Sequence, residues 1–293
     1  MSGIILHIGS GVGPDWLNWT VQLDVLFLCV ALGYGYLYVA TKLRLRLPDA
    51  GPVSRRQMFL FYSGVVILYV AAAGPIHELA DRYLVSAHML QHLLLMLVVA
   101  PLLLAGIPGW FWSAFVQSGR SLQIARLITH PLVVLAVFNG VFLITHLPEA
   151  VDLQLRDWWF HLMVHVLQLG AGILLWWPIL NNAPELPRLS YPYQMMFLFA
   201  QSLIPSVLAG VLTFARGAVY PAYADAPRLW GISITEDQQM AAAIMKILGT
   251  LILWSFIGVA FFKWYAKEDA EAEGLRWSEV EAELQRERLT RKA

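Results

Sequence analysis

Eight histidines are spread along this 293-residue chain, and six of them stand at the ends of apolar runs where imidazole is out of place. His88 and His92 lie four apart in HMLQHLLLM, with Met96 four further on, and HLMVH repeats the spacing at His161 and His165. In a helix, residues four apart share a face one turn along. Each pair therefore offers two ring nitrogens side by side, a spacing that suits two ligands on one helix. His77 and His146 close two other apolar runs. Met89 and Met163 sit beside the pairs, and Met240 and Met245 fall in the last apolar run. Imidazole serves copper, zinc, iron and nickel; thioether moves the preference toward Cu(I). The expected metal site is His88, His92, His161, His165, His77 and His146 with Met89 and Met245, and Met96 in support. Six imidazoles exceed the roughly two to four donors that one Cu(I) needs, so they imply two sites, a relay, or rings that are not ligands. A lone histidine in such a place is ordinarily hydrogen-bonded structure, and a lone methionine is ordinarily core filler. The paired spacing lifts His88 with His92, and His161 with His165, above that reading. His77 and His146 stay open between the two, and His7 and His130 are expected not to be ligands.

What must position these rings is a membrane bundle. The chain is 58% hydrophobic and 14% charged, with the charges clumped, which marks a polytopic membrane protein. Net charge is zero, and nothing points to a nucleic-acid partner. The single cysteine, Cys29, excludes an internal disulfide framework and a cysteine zinc cage. The opening MSGIILHIGSGVGPDW lacks a basic region and a long apolar core, so no cleaved signal peptide is expected. Seven segments, near 19–40, 57–75, 88–106, 131–147, 160–180, 193–215 and 239–264, are apolar enough to cross a core of ~30 Å. Backbone groups must pair internally in lipid, so all seven should be helices, giving an all-α fold. The fourth is short, and Pro101 and Pro205 predict kinks.

Lysine and arginine orient the bundle. Lys42, Arg44, Arg46, Arg55, Arg56, Arg120, Arg126 and Arg188 make eight in one set of loops, against four (Arg82, Arg156, Arg216, Arg228) in the other. The richer side should be cytoplasmic, with the N-terminus outside and the C-terminus inside. His77, His88, His92, His146, His161 and His165 then all fall at the outer face, and His130 at the inner one. The stretch GWFWSAFVQSGR (109–120) reads as an interfacial segment. Residues 1–265 form the transmembrane domain; 266–293 read as a charged cytoplasmic tail, with capping-box spacing at Ser278 and Glu281 ahead of a helical stretch.

Two ionisable residues interrupt apolar runs. Asp24 and Lys246 should lie ~7–11 Å below the outer boundary, where charges are costly and usually paired. They are expected to face the bundle interior together or to flank the metal layer, with Asp24 alternatively an oxygen ligand or proton carrier. Snorkelling to interfacial water is the plainer reading. Asn139 and Gln201 read as helix–helix hydrogen bonders, and Cys29 as a small core residue. Glu236 and Asp237 open the last helix, where the dipole favours carboxylates; that explains one of them, not obviously both.

Three blocks in order, SAHMLQHLLLMLVVAPLLLAGIP (86–108), HLPEAVDLQLRDWWFHLMVHVLQLGAGILLWWPIL (146–180) and LTFARGAVYPAYADAPRLWGISITEDQQMAAAIM (212–245), resemble the CtaG family of cytochrome c oxidase assembly factors, the polytopic membrane type. The resemblance runs from about residue 15 to 265. It implies a non-enzymatic role in maturing haem–copper oxidase at the bacterial inner membrane. Copper would come from an extracytoplasmic donor and pass to oxidase subunit I or II. It points to His88, Met89, His92, His146, His161, His165, Asp237, Gln238 and Met245. Lys246 departs from the family pattern, where an apolar or aromatic residue is common. Two other classes fit the histidines: a haem b cytochrome with axial imidazoles on facing helices, and a zinc-dependent intramembrane hydrolase with Asp24 or Glu78 as base.

Overall fold

The computed structural model describes residues 5–6, 21–47, 50–116 and 118–290. His7, Trp19 and the opening segment apart from Ile5–Leu6 lie outside the described residues. A two-residue antiparallel pairing joins β1 (Ile5–Leu6) to β2 (Val21–Gln22), and the rest of the described regular structure is helical. The helices are α1 Leu23–Thr41, α2 Arg55–Ala73, α3 Pro75–Arg82, α4 Val85–Leu93, α5 Ala100–Gly106, α6 Gly109–Phe115 and α7 Gly119–Ile128. They continue with α8 Pro131–Thr145, α9 Pro148–Arg156, α10 Trp158–Leu180, α11 Tyr191–Gln201, α12 Leu203–Phe214, α13 Ile234–Ala243 and α14 Gly249–Thr290. A π turn, Leu94–Val99, links α4 to α5, and another, Ile244–Leu248, links α13 to α14.

Six helices are long and apolar enough to cross a membrane, or seven if the bent pair α7–α8 is one span. The doubtful one is the segment the sequence marks as short. Helix α8 has 15 residues, ~22 Å, which falls below a ~30 Å core. Pro131 at its first position ends any continuation from α7, so α7 departs at 56°. Exposed Arg120 and Arg126 on α7 suit a surface-lying arm. At the other end, α14 runs unbroken for 42 residues, ~63 Å. The helix therefore does not restart at Ser278, as the capping-box spacing suggested; Ser278 lies inside it.

The α4–π–α5 span is the core of the bundle. Its apolar window is 67% buried, against 17% for α1, whose outward side chains such as Phe27 and Tyr34 suit lipid. Helix α10 lies against it at close range. A Cβ on Gly172 would come 2.9 Å from the Met96 backbone, so only glycine permits this approach. The π turn needs that neighbour. Five residues on from Met96 stands Pro101, which has no N–H to give. Trp176 Nε1 donates to the Met96 carbonyl instead, at 3.0 Å. The expected disturbance at Pro101 thus takes the form of a π turn. At Pro205 it takes the form of the break at Ser202 between α11 and α12.

A candidate metal centre

Helix termini place the histidines. Gly74 breaks α2 and Pro75 opens α3, which puts His77 in the first turn of α3. The α4 N-terminus is capped from another helix: Asp237 of α13 accepts from Val85 N (2.7 Å), Ser86 N (3.0 Å) and Ser86 Oγ. That anchors His88 one turn further on. Pro148 opens α9 just past His146, and the Asp157 carboxylate caps α10 by accepting from Phe160 N at 2.7 Å, one residue before His161.

The six rings form one connected layer from α3, α4, the end of α8, and α10. Within helices, ring centroids are 4.1 Å apart for His88–His92 and 4.3 Å for His161–His165. Between helices they are 5.4 Å for His92–His146, 5.5 Å for His77–His161, 5.6 Å for His92–His165, 6.2 Å for His77–His165 and 6.3 Å for His88–His161. The Nε2 atoms of His161 and His165 face each other at 3.0 Å. His88 and His92 are sealed from solvent, and their Nε2 atoms have no hydrogen-bond partner. The tightest set of metal-type donor atoms among the described residues is His77, Asp81 and His161, all within 4.8 Å of one another.

Partners on the far side of each ring decide which nitrogen carries the proton. The Tyr223 hydroxyl donates to the Ala80 carbonyl and so accepts from His88 Nδ1 at 3.1 Å, which leaves His88 Nε2 bare. Burial, with Asp81 and Asp237 nearby, pushes the Tyr223 phenol well above its ordinary value, so it stays protonated and keeps this role. His146 Nδ1 lies 2.6 Å from the Phe142 carbonyl and donates to it, so its Nε2 is also bare. His77 and His92 are set the other way. Gln91 donates to the Ala71 carbonyl (2.8 Å) and to His77 Nδ1 (3.0 Å), so His77 Nε2 carries the proton toward Asp81 at 3.3 Å. Gln168 donates to His92 Nδ1 (2.9 Å) and Thr145 Oγ1 (3.1 Å). Turning that amide, with the Thr145 hydroxyl turning toward it, would bare His92 Nε2.

Below the rings a cavity of about 50 Å³ is lined by His92, His146, Met89, Met96 and Met245, with Gln201 and Ser206 among its polar walls. All three methionines are buried, whereas Met163 and Met240 point outward. His130 caps α8 locally, its ring accepting from Leu132 N.

Four residues weighed for a supporting role sit elsewhere. Asp24 is exposed on α1 and Lys246 is exposed on the second π turn, its ammonium donating to Ser206 Oγ at 2.7 Å. The expected pairing of the two is absent: α1 packs on α2, whereas the second π turn packs on α4, α12, α13 and α14, and Lys246 takes Ser206 as its partner. Asp237 is a cap for α4, and Gln238 pins the 215–233 loop by accepting from Val219 N (2.7 Å) and donating to Leu212 O (3.1 Å). Glu236 pairs with Ser233 in the local capping box, so the two carboxylates serve two different helices. Asn139 donates to Gln201 at 2.7 Å across α8 and α11, and Cys29 is buried.

Sequence reasoning passed over Asp81, Gln91, Gln168 and Tyr223. Asp81 stands four past His77, so helical spacing held a signal for it; Gln91 meets His77 and Gln168 meets His92 across helices, which spacing does not show. Nothing in the sequence links Tyr223 to His88; a loop brings them together.

Fold and site together define a polytopic helical membrane protein with a buried imidazole layer at one end of its spans. The family model described as cytochrome c oxidase caa3 assembly factor (Caa3_CtaG) matches residues 34–267, well over half of the chain. The chain belongs to that family of cytochrome c oxidase assembly factors, as the three sequence blocks anticipated. No curated protein matches it, and no solved structure does.

Proposed function

We propose that this assembly factor acts without catalysis, by taking up copper as Cu(I) in the imidazole layer and handing it to an oxidase subunit. The supporting observation is that six rings from four helical segments touch in one layer while two buried nitrogens, His88 Nε2 and His92 Nε2, lack partners. A buried polar atom without a partner costs ~1–3 kcal/mol, a cost that a bound ion would remove at His88 Nε2 directly and at His92 Nε2 once its proton moves to Nδ1. Rings in sequence also let an ion change one donor at a time and keep the rest, which is how ligand exchange moves Cu(I) without releasing it.

The basic loop 42–56 stands at the start of α2 and the rings beyond its far end. With that loop cytoplasmic, the layer opens to the extracytoplasmic side of the bacterial inner membrane, the N-terminus is outside and α14 carries the tail into the cytoplasm. The copper comes from an extracytoplasmic donor, and the recipient is subunit I or II. Haem b fits the layer poorly, because rings 5.4–6.3 Å apart across helices leave no slot for a macrocycle. A zinc hydrolase would need a free general base. Glu78 is paired with Arg82 at 3.1 Å, and Asp24 is far out on α1.

Elemental analysis and absorption spectra of the purified protein, beside the double variant His88→Ala/His92→Ala, test this reading. Copper without a Soret band is expected in the parent, with a loss of copper and of oxidase maturation in the variant. Full copper loading of the double variant would overturn it.

A further inference from the structure

The cavity below the rings has a donor set of its own. Its walls carry three thioethers, Met89, Met96 and Met245, and two imidazoles, His92 and His146. Three of the chain's nine methionines thus gather on one side of the layer; the remaining rings of His77, His88, His161 and His165 do not line the cavity. His146 is set for coordination, since its Nδ1 is committed to the Phe142 carbonyl at 2.6 Å and its Nε2 is bare. His92 belongs to both places: it lines the cavity and packs edge-on within the ring layer, its centroid 4.1 Å from that of His88 and 5.4 Å from that of His146.

The two π turns flank this space. Met96 lies on one and Met245 on the other. A π turn holds an extra residue per turn and widens the helix locally, a feature found mostly at functional sites. The first turn is maintained at some expense, with Gly172 giving room and Trp176 supplying a hydrogen bond to the Met96 carbonyl. The cavity, about 50 Å³, has room for a metal ion with ordered water beside it, since a single buried water needs only ~10–15 Å³.

We infer that this cavity is a second metal station, specific for Cu(I), in which His146 and the thioethers of Met89, Met96 and Met245 receive the ion from the ring layer through His92. The inference deepens the copper reading above and rests on it for the direction of transfer. The chemistry divides the two stations. Imidazoles accept Zn(II), Cu(II) or Cu(I), whereas a donor set made mainly of thioethers favours Cu(I) over the harder divalent ions. Transfer needs no electron and no bond beyond coordination: as each thioether binds, a ring nitrogen leaves.

The test is the variant Met89→Leu/Met96→Leu/Met245→Leu in the full-length purified protein; these swaps conserve volume and polarity enough to keep the core packed. Cu(I) is titrated anaerobically against a chromophoric Cu(I) chelator, and Co(II) is titrated in parallel as a probe of the rings. The expected result is one fewer Cu(I) per chain, or a Cu(I) affinity lowered by more than the ~10–100-fold that loss of an outer hydrogen-bond partner costs, with Co(II) binding unchanged. Unchanged Cu(I) number and affinity would overturn the second station. The His88→Ala/His92→Ala variant separates the two readings. If it keeps Co(II) and Cu(I) binding in full while the leucine variant loses Cu(I), the cavity stands and the ring layer fails as a copper site.

Discussion

The hydroxyl of Tyr223 lies 3.1 Å from His88 Nδ1 while giving its own proton to the Ala80 carbonyl. One loop side chain thus satisfies the open C-terminal end of α3 and fixes the tautomer of a ring on α4. Replacing Tyr223 by Phe leaves a buried carbonyl and a buried ring N–H unpaired, at ~1–3 kcal/mol each before relaxation. Copper affinity should fall ~10–100-fold, as for other outer partners of a metal-binding imidazole. Chelator competition reads the affinity, and thermal unfolding in detergent reads the stability.

Gln168 plays the matching part for His92. Its amide is buried and spans Thr145 and the ring. Gln168→Leu keeps the volume and removes both donors. Stability should drop by ~1–3 kcal/mol and Cu(I) affinity by ~10–100-fold. Gln168→Glu removes the N–H donors but keeps an oxygen that can accept from His92 Nδ1–H, the direction a metal on Nε2 requires. It should therefore retain more Cu(I) affinity than Gln168→Leu while losing stability without metal. A variant with parental affinity would remove Gln168 from the site.

Asp237 holds the first turn of α4 from α13. Asp237→Ala strands three donors at the N-terminus of the helix that carries His88 and His92, and should cost ~3 kcal/mol or more, since charged hydrogen bonds are worth ~1.5–3 kcal/mol each. Asp237→Asn keeps one oxygen and should lose about half as much. If Asp237 were also a copper ligand, Asp237→Asn would lose copper out of proportion to its smaller loss of stability; comparing copper content with the melting temperature distinguishes the cases.

Gly172 sets the distance between α10 and the π turn. A methyl group there would meet the Met96 Cα and carbonyl oxygen at 2.9 Å. Gly172→Ala should destabilise by ~1–3 kcal/mol through overpacking and should loosen Trp176 from the Met96 carbonyl. A parallel change in tryptophan fluorescence would locate the strain.

The histidine layer was legible in the sequence to an unusual degree because helical spacing turns HMLQH and HLMVH into faces. Charge bias then put all the apolar-run histidines at one depth. Asp24 and Lys246 misled for the same reason that the histidines informed. Depth in a span can be read from position, but direction around a helix end cannot, and both turned outward. Asp237 and Gln238, singled out as site residues, hydrogen-bond across the fold, one to α4 and one to the 215–233 loop.

From the sequence alone came the helical membrane class, the family, and the pairing of rings on α4 and α10, because periodicity and hydropathy are properties of contiguous residues. Only the tertiary structure decided which amides and hydroxyls set each ring, that three methionines share a cavity with His92 and His146, and that α7 bends away from α8. Those outcomes depend on residues distant in the chain, such as Tyr223 with His88 and Gln168 with His92. Such meetings follow from how helices pack, and packing is settled by the whole set of side chains at once.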